Sequence, residues 1–148
     1  MDFDIDSPFI GHLGFVLHRM DGGHSEVHYE ARPEHLNSFA VTHGGATMAL
    51  LDVAMAMAAR SSAPTQGVVT IEMKTSFMQP ARGPLVAKGR LVHRTTSIAF
   101  AEGTVFDAEG RACSQATATF KYVRNRAQGD AGAASAADTA TAVPASDF

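Results

Sequence analysis

A chain of 148 residues, 45% hydrophobic and 18% charged, has the length and apolar content of one globular domain and not comfortably of two. No apolar run approaches the roughly 18–20 residues of a bilayer span, and the start, Met1-Asp2-Phe3-Asp4-Ile5-Asp6, is acidic where an export signal is basic. A cytoplasmic protein with no membrane attachment is therefore expected. The single cysteine, Cys113, has no internal disulfide partner and sits among small residues as a core side chain does. The formal net charge of −3 hides an asymmetry, because residues 74–126 hold nine basic side chains against three acidic ones. That excess favours an anionic ligand such as a nucleotide phosphate, or else a set of solvated strand faces. An acidic chain with dispersed basic residues and no recognition motif argues against a nucleic-acid partner.

In chain order, Ser7-Pro8-Phe9-Ile10-Gly11 predicts a short helix or turn, and Phe15 to Met20 a strand. Asp21-Gly22-Gly23 is a hairpin signal that sends Glu26 to Ala31 back as a second strand, closed by Pro33. Gly45 to about Ser61 is rich in Ala, Met and Leu and predicts a helix of about four to five turns. It is apolar nearly all round, the pattern of a helix wrapped by protein. Four strand-like runs follow the break at Ala63-Pro64-Thr65-Gln66-Gly67. Alternation over Val68–Met78 places Val69, Ile71, Met73 and Phe77 on one face. Leu85–Arg94 comes after the Pro80 and Gly83-Pro84 turns. Ser97–Phe106 sets Ile98, Phe100 and Phe106 against Ala99, Ala101, Gly103 and Val105, and Asp107-Ala108-Glu109-Gly110 turns the chain into Ala112–Val123. The order β-β-α-β-β-β-β, with one long helix to bury, predicts an α+β domain over residues 7–125: a curved antiparallel sheet wrapped around the helix. Residues 126–148, mostly Ala, Gly, Ser, Thr and Asp, predict a disordered tail.

Within the helix, Asp52 is the only ionisable residue from Gly44 to Ala59. An uncompensated buried carboxylate costs several kcal/mol, about enough to need a reason. A paired structural aspartate is one reason, and chemistry is another. His43-Gly44-Gly45 stands at the helix start, where bare backbone and free N–H groups form a site for negative charge. For acyl transfer such a site receives the oxyanion.

Asn37, His43-Gly44-Gly45 and Asp52, in that spacing, resemble the HGG-motif thioesterases of the hotdog superfamily, in the phenylacetate-pathway (PaaI-like) branch. The similarity extends through Pro8-Phe9, Leu13-Gly14, Val68-Val69-Thr70-Ile71-Glu72-Met73, Phe77-Met78-Gln79-Pro80-Ala81, Gly89-Arg90 and Ser97 to Glu102. The resemblance implies a hotdog fold and hydrolysis of acyl- or aryl-CoA thioesters. It implies Asp52 as base or nucleophile, the Gly44 N–H on the thioester carbonyl, Asn37 and His43 orienting that carbonyl, and Thr70 positioning water or the carboxylate. Gly45, Arg90, Arg94 and Ser97 are further substrate-binding candidates, with Lys121 and Arg124 joining the arginines as cations for the CoA phosphates. No cofactor is implied, CoA being part of the substrate, and the seven histidines form no tight metal-ligand cluster. One departure is Ala40, where relatives usually have glycine.

Eight residues of helix separate Gly44 from Asp52, a rise of about 12 Å, so one thioester carbon cannot reach both within a chain. Two antiparallel copies bring Gly44 of one to Asp52 of the other, which predicts a dimer with shared sites; in the resembled family, dimers often pair again into tetramers. Met48, Met55, Met57, Phe39, Phe77 and Met78 are either acyl-pocket lining or plain core. Two rivals to hydrolysis are a non-catalytic acyl-CoA-binding module, which has no need of Asp52, and a hotdog dehydratase or hydratase, which uses a different His-plus-acid arrangement.

Overall fold

The computed structural model describes residues 1–3 and 6–125; the predicted tail, residues 126–148, lies outside them. Helix α1 (Pro8–Leu13) has Ser7 as N-cap, proline in its first turn and Gly14 at φ 75° ending it. Strands β1 (Val16–Asp21) and β2 (His24–Glu30) form the expected hairpin, with Gly22 and Gly23 both at positive φ, as a two-residue turn between twisted strands requires. A single 3₁₀ turn at Pro33–His35 leads towards α2 (Gly44–Ser61). Strands β3 (Gln66–Phe77), β4 (Pro84–Arg94), β5 (Ile98–Phe106) and β6 (Ala112–Arg124) complete one antiparallel sheet of order β1-β2-β4-β5-β6-β3. The α+β architecture is the one the element order predicts.

Alternation fixes which strand residues meet the helix. Ala99, Ala101, Gly103 and Val105 of β5 are buried under α2 as expected, and small side chains let the two layers close up. Gly89 of β4 marks the tightest approach: a Cβ there would collide with the Ala54 carbonyl and the Ser25 hydroxyl, which are hydrogen-bonded to each other. At Gly103 a Cβ would press on Met55 and Leu51. Leu50, Leu51, Ala54, Met55, Ala58 and Ala59 give α2 a fully buried face.

Two expectations are corrected. Helix α2 is not covered all round: Gly45, Met48, Ala49, Asp52 and Ala56 recur every three or four residues as a stripe that the chain leaves partly open. The simple alternation on β3 also fails, because the register slips between Thr70 and Glu72, where Ile71 is bulged out. Residues opposite each other on paired strands share a face. Thr70, Met73, Thr75 and Phe77 lie opposite Phe120, Ala118, Ala116 and Ser114, all buried, and so face the helix. Val69 lies opposite Lys121 on the outer face. Strand β3 is also an unpaired edge, 12 residues long.

The loop before α2 contains Ala40, the one described non-glycine residue at positive φ (55°). There its methyl crowds the backbone by about 1–2 kcal/mol. Glycine's extra freedom in the unfolded chain takes back about 0.4–1 kcal/mol. Ala40→Gly is therefore expected to stabilise the fold by about 1 kcal/mol, read as a higher midpoint in urea unfolding at unchanged slope.

Candidate active site

His43 caps α2 through its own ring: Nδ1 accepts the Gly45 N–H at 2.9 Å. A neutral ring that accepts at Nδ1 carries its proton on Nε2, so His43 presents a donor outward. The His43 N–H is bonded to the His35 carbonyl at 2.9 Å, which fastens the helix start to the 3₁₀ turn. With the Gly45 donor used by the cap, the Gly44 N–H is left without a partner among the described residues. It stands at the positive end of an 18-residue helix. A Cβ at Gly44 would lie 3.3 Å from the Phe77 ring, so a side chain there would push that half-exposed ring aside by a few tenths of an ångström.

Asn37 builds the loop in front of Gly44. Its Oδ1 accepts the N–H groups of Phe39 and Val41 at 2.9 and 3.3 Å. The side-chain oxygen is thereby used, and the Nδ2 amino group is the part of Asn37 left to donate outward. Asn37 and Gly44 line an open cleft of about 550 Å³ together with Phe39, Val41, Phe77, Met78, Ala81 and Arg82. Phe39 is 80% exposed there, and Phe77 and Met78 are about half exposed. Met55 and Met57, the other acyl-pocket candidates, are buried core, and Met48 is on the open stripe of α2.

Asp52 is not among the residues lining that cleft. It lies two turns further along α2, half-buried on the open stripe, and accepts a hydrogen bond of 2.6 Å from the Thr70 hydroxyl. Burial pushes its carboxyl above the ordinary aspartate range, and the Thr70 hydroxyl pulls partly back. The bulge at Ile71 makes this contact possible. Without the extra residue, Thr70 and Met73 would point to opposite faces; with it, both face the helix. Asn37, His43, Gly44 and Gly45 thus cluster at one end of α2, while Asp52 and Thr70 form a second group about 12 Å away by the helix rise.

The cationic candidates lie elsewhere. Arg90 is paired with Glu102 at 2.6 Å. Arg94 donates to the Ser62 carbonyl at 2.8 Å and lies over the Tyr122 ring. Ser97 is in the β4–β5 connection, where its carbonyl accepts the Tyr122 N–H. None of the three lines the Gly44 cleft. Arg82, which does, carries no motif to mark it; its place depends on the Thr42 N–H bonding the Ala81 carbonyl at 2.9 Å, which folds the β3–β4 connection against the loop before α2. No three His, Cys, Asp or Glu side chains gather as a metal site among the described residues, and no described helix is long and apolar enough to cross a membrane.

The chain is similar in sequence and fold to known proteins. A model of the thioesterase superfamily matches residues 39–114. The Saccharolobus solfataricus protein named "Putative esterase SSO2140" is 24% identical over 110 residues, covering 74% of this chain and 79% of its own. A conserved Pseudomonas aeruginosa protein of known structure superposes with a TM-score of 0.76 at 24% identity, over 80% of this chain and 95% of that one. The Thermus thermophilus phenylacetic acid degradation protein PaaI superposes with a TM-score of 0.72 at 25% identity, over 79% and 100%. The matched segment runs from the loop at Phe39 through α2 and its aspartate to Ser114 beside the cleft, and on that match the chain belongs to the thioesterase superfamily, with the hotdog fold.

Proposed function

We propose that the protein hydrolyses acyl- or aryl-CoA thioesters, as an HGG-motif enzyme of the PaaI-like branch, at sites shared between two copies of the chain. The observation that carries this reading is the division of the polar groups. Donors stand at Gly44 and Asn37 with no carboxylate beside them, and a carboxylate stands at Asp52 on a stripe of α2 that its own chain leaves open. A second copy with its α2 antiparallel brings each group to its complement. The uncovered β3 edge, with Val69, Ile71 and Phe77 about half exposed along it, supports the same pairing.

In the combined site the Gly44 N–H and the positive helix end bind the thioester carbonyl oxygen. Asp52 then acts in one of two ways. As a base it takes a proton from water as the water oxygen bonds to the carbonyl carbon; the tetrahedral oxyanion collapses, the C–S bond breaks, and the thiolate leaves with that proton. As a nucleophile its oxygen bonds to the carbon, expels the thiolate and leaves a mixed anhydride that water cleaves. Thr70 holds the carboxylate oxygen in both routes. The apolar side chains of Phe39, Phe77 and Met78 favour an apolar or aromatic acyl group.

Asp52→Asn is expected to lower kcat by about 10²–10⁴-fold on every acyl-CoA hydrolysed, a typical loss for a general base. The variant should also melt at a higher temperature. The carboxyl is raised in the folded protein, so stability falls as pH climbs from the unfolded value through the folded one, and at neutral pH the ionised group is a net cost that asparagine removes. A wild-type kcat in this variant overturns the assignment.

Because Asp52 must be ionised, kcat/KM should drop as pH falls through its raised pKa. Thr70→Val removes the contact that holds this pKa down, so the acid limb of the pH profile should move to higher pH. An unmoved limb means that Thr70 does not act on Asp52.

Sharing is tested by mixing two inactive variants. Gly44→Pro deletes the N–H donor at the first helical position, which proline tolerates. Co-refolded with Asp52→Asn, it yields mixed dimers with one intact site. Activity should return to about one quarter of wild type, from random pairing in a two-fold dimer. No recovery, with both variants folded, rules out the shared site.

A further inference from the structure

Resting on the thioesterase reading, we infer that Arg82 is the phosphate anchor of the site, its guanidinium holding the nucleotide phosphates of the CoA half of the substrate. Arg82 follows Ala81, whose carbonyl accepts the Thr42 N–H, and so lines the same cleft as Gly44, one residue before the turn at Gly83 (φ 62°). It is the one lysine or arginine lining the cleft that contains the Gly44 N–H.

Most other arginines of the described chain are committed. Arg19 pairs with Asp21, Arg32 with Glu34, Arg90 with Glu102, and Arg111 with both Asp107 and Glu109. Arg60 is buried and Arg94 is held by Ser62 and Tyr122. Arg82 makes no hydrogen bond or ion pair among the described residues. Asp107 and Glu109 line an adjoining hollow with it, but neither pairs with Arg82: both carboxylates are hydrogen-bonded to Arg111, which offsets one of their two charges. The cleft is therefore graded, apolar at Phe39, Phe77 and Met78 and cationic at Arg82. A thioester with an apolar acyl group on one side of its carbonyl and a phosphorylated arm on the other matches that gradient. A planar guanidinium is also the side chain that grips phosphate oxygens two at a time.

The test compares wild type and Arg82→Gln on one acyl group presented as the CoA thioester and as the pantetheine thioester, which lacks the nucleotide phosphates. Succinyl-CoA is a third substrate. The preference for CoA over pantetheine, as a ratio of kcat/KM, is expected to fall about tenfold in the variant through KM, the size of one charge-assisted contact. Arg82→Lys should restore part of it, and added salt should narrow the gap between wild type and variant. An unchanged preference overturns the anchor, as does an equal loss on both thioesters. A loss confined to succinyl-CoA assigns Arg82 to an acyl carboxylate and overturns it as well. If wild type cleaves none of these substrates, hydrolysis itself is refuted. Calorimetric titration of both proteins with CoA and with pantetheine then decides the anchor separately. CoA binding that weakens in Arg82→Gln supports it, and equal or absent CoA binding overturns it.

Discussion

A helix of fixed rise cannot bend to bring its own first turn to its own middle, and the placement of every polar group around α2 follows from that constraint. Gly44 offers its N–H where the helix begins, and Asp52 offers its carboxylate two turns later, on the same side of the domain but beyond one carbonyl's reach. The sheet covers the remaining faces of α2 closely, at Gly89 and Gly103 with no space for a side chain. What the sheet leaves uncovered is the stripe containing Asp52. The scaffold thus keeps the two polar groups about 12 Å apart along one helix.

Asp52 is balanced between two opposing effects. Apolar surroundings raise its pKa and make its ionised form costly, while the Thr70 hydroxyl offsets part of that cost at 2.6 Å. A fully buried carboxylate would tend to hold its proton; a fully exposed one would be a weak base surrounded by water. The half-buried setting lies between these limits. Stability is sacrificed locally for a group whose charge is available, as is common where chemistry is done.

Much of this was legible in the chain itself, for local reasons. Turn glycines at 22 and 23, the alanine-rich run of α2 and the alternation of β5 each depend on neighbours a few residues away, and each appears where expected. The lone Asp52 after His43-Gly44-Gly45 was equally visible. What escaped depends on partners distant in sequence. The Ile71 bulge exists only in the pairing of β3 with β6, so alternation put Val69 on the wrong face. Arg90 and Arg94 looked available by charge alone, yet Glu102 and Tyr122, on strands β5 and β6, hold them. Methionines split the same way: Met55 is core because Gly103 of β5 lies against it, whereas Met78, just past the end of β3, is about half exposed.

The bulge on β3 has one more consequence, for the behaviour of the protein in a crowded solution. A 12-residue sheet edge with exposed Val69, Ile71 and Phe77 is a template on which foreign strands can add and fibrils can grow. A bulge twists such an edge and breaks the even spacing of its free backbone groups, so a regular strand cannot zip along its whole length. The irregularity that aims Thr70 at Asp52 thus also guards the open edge against strand addition.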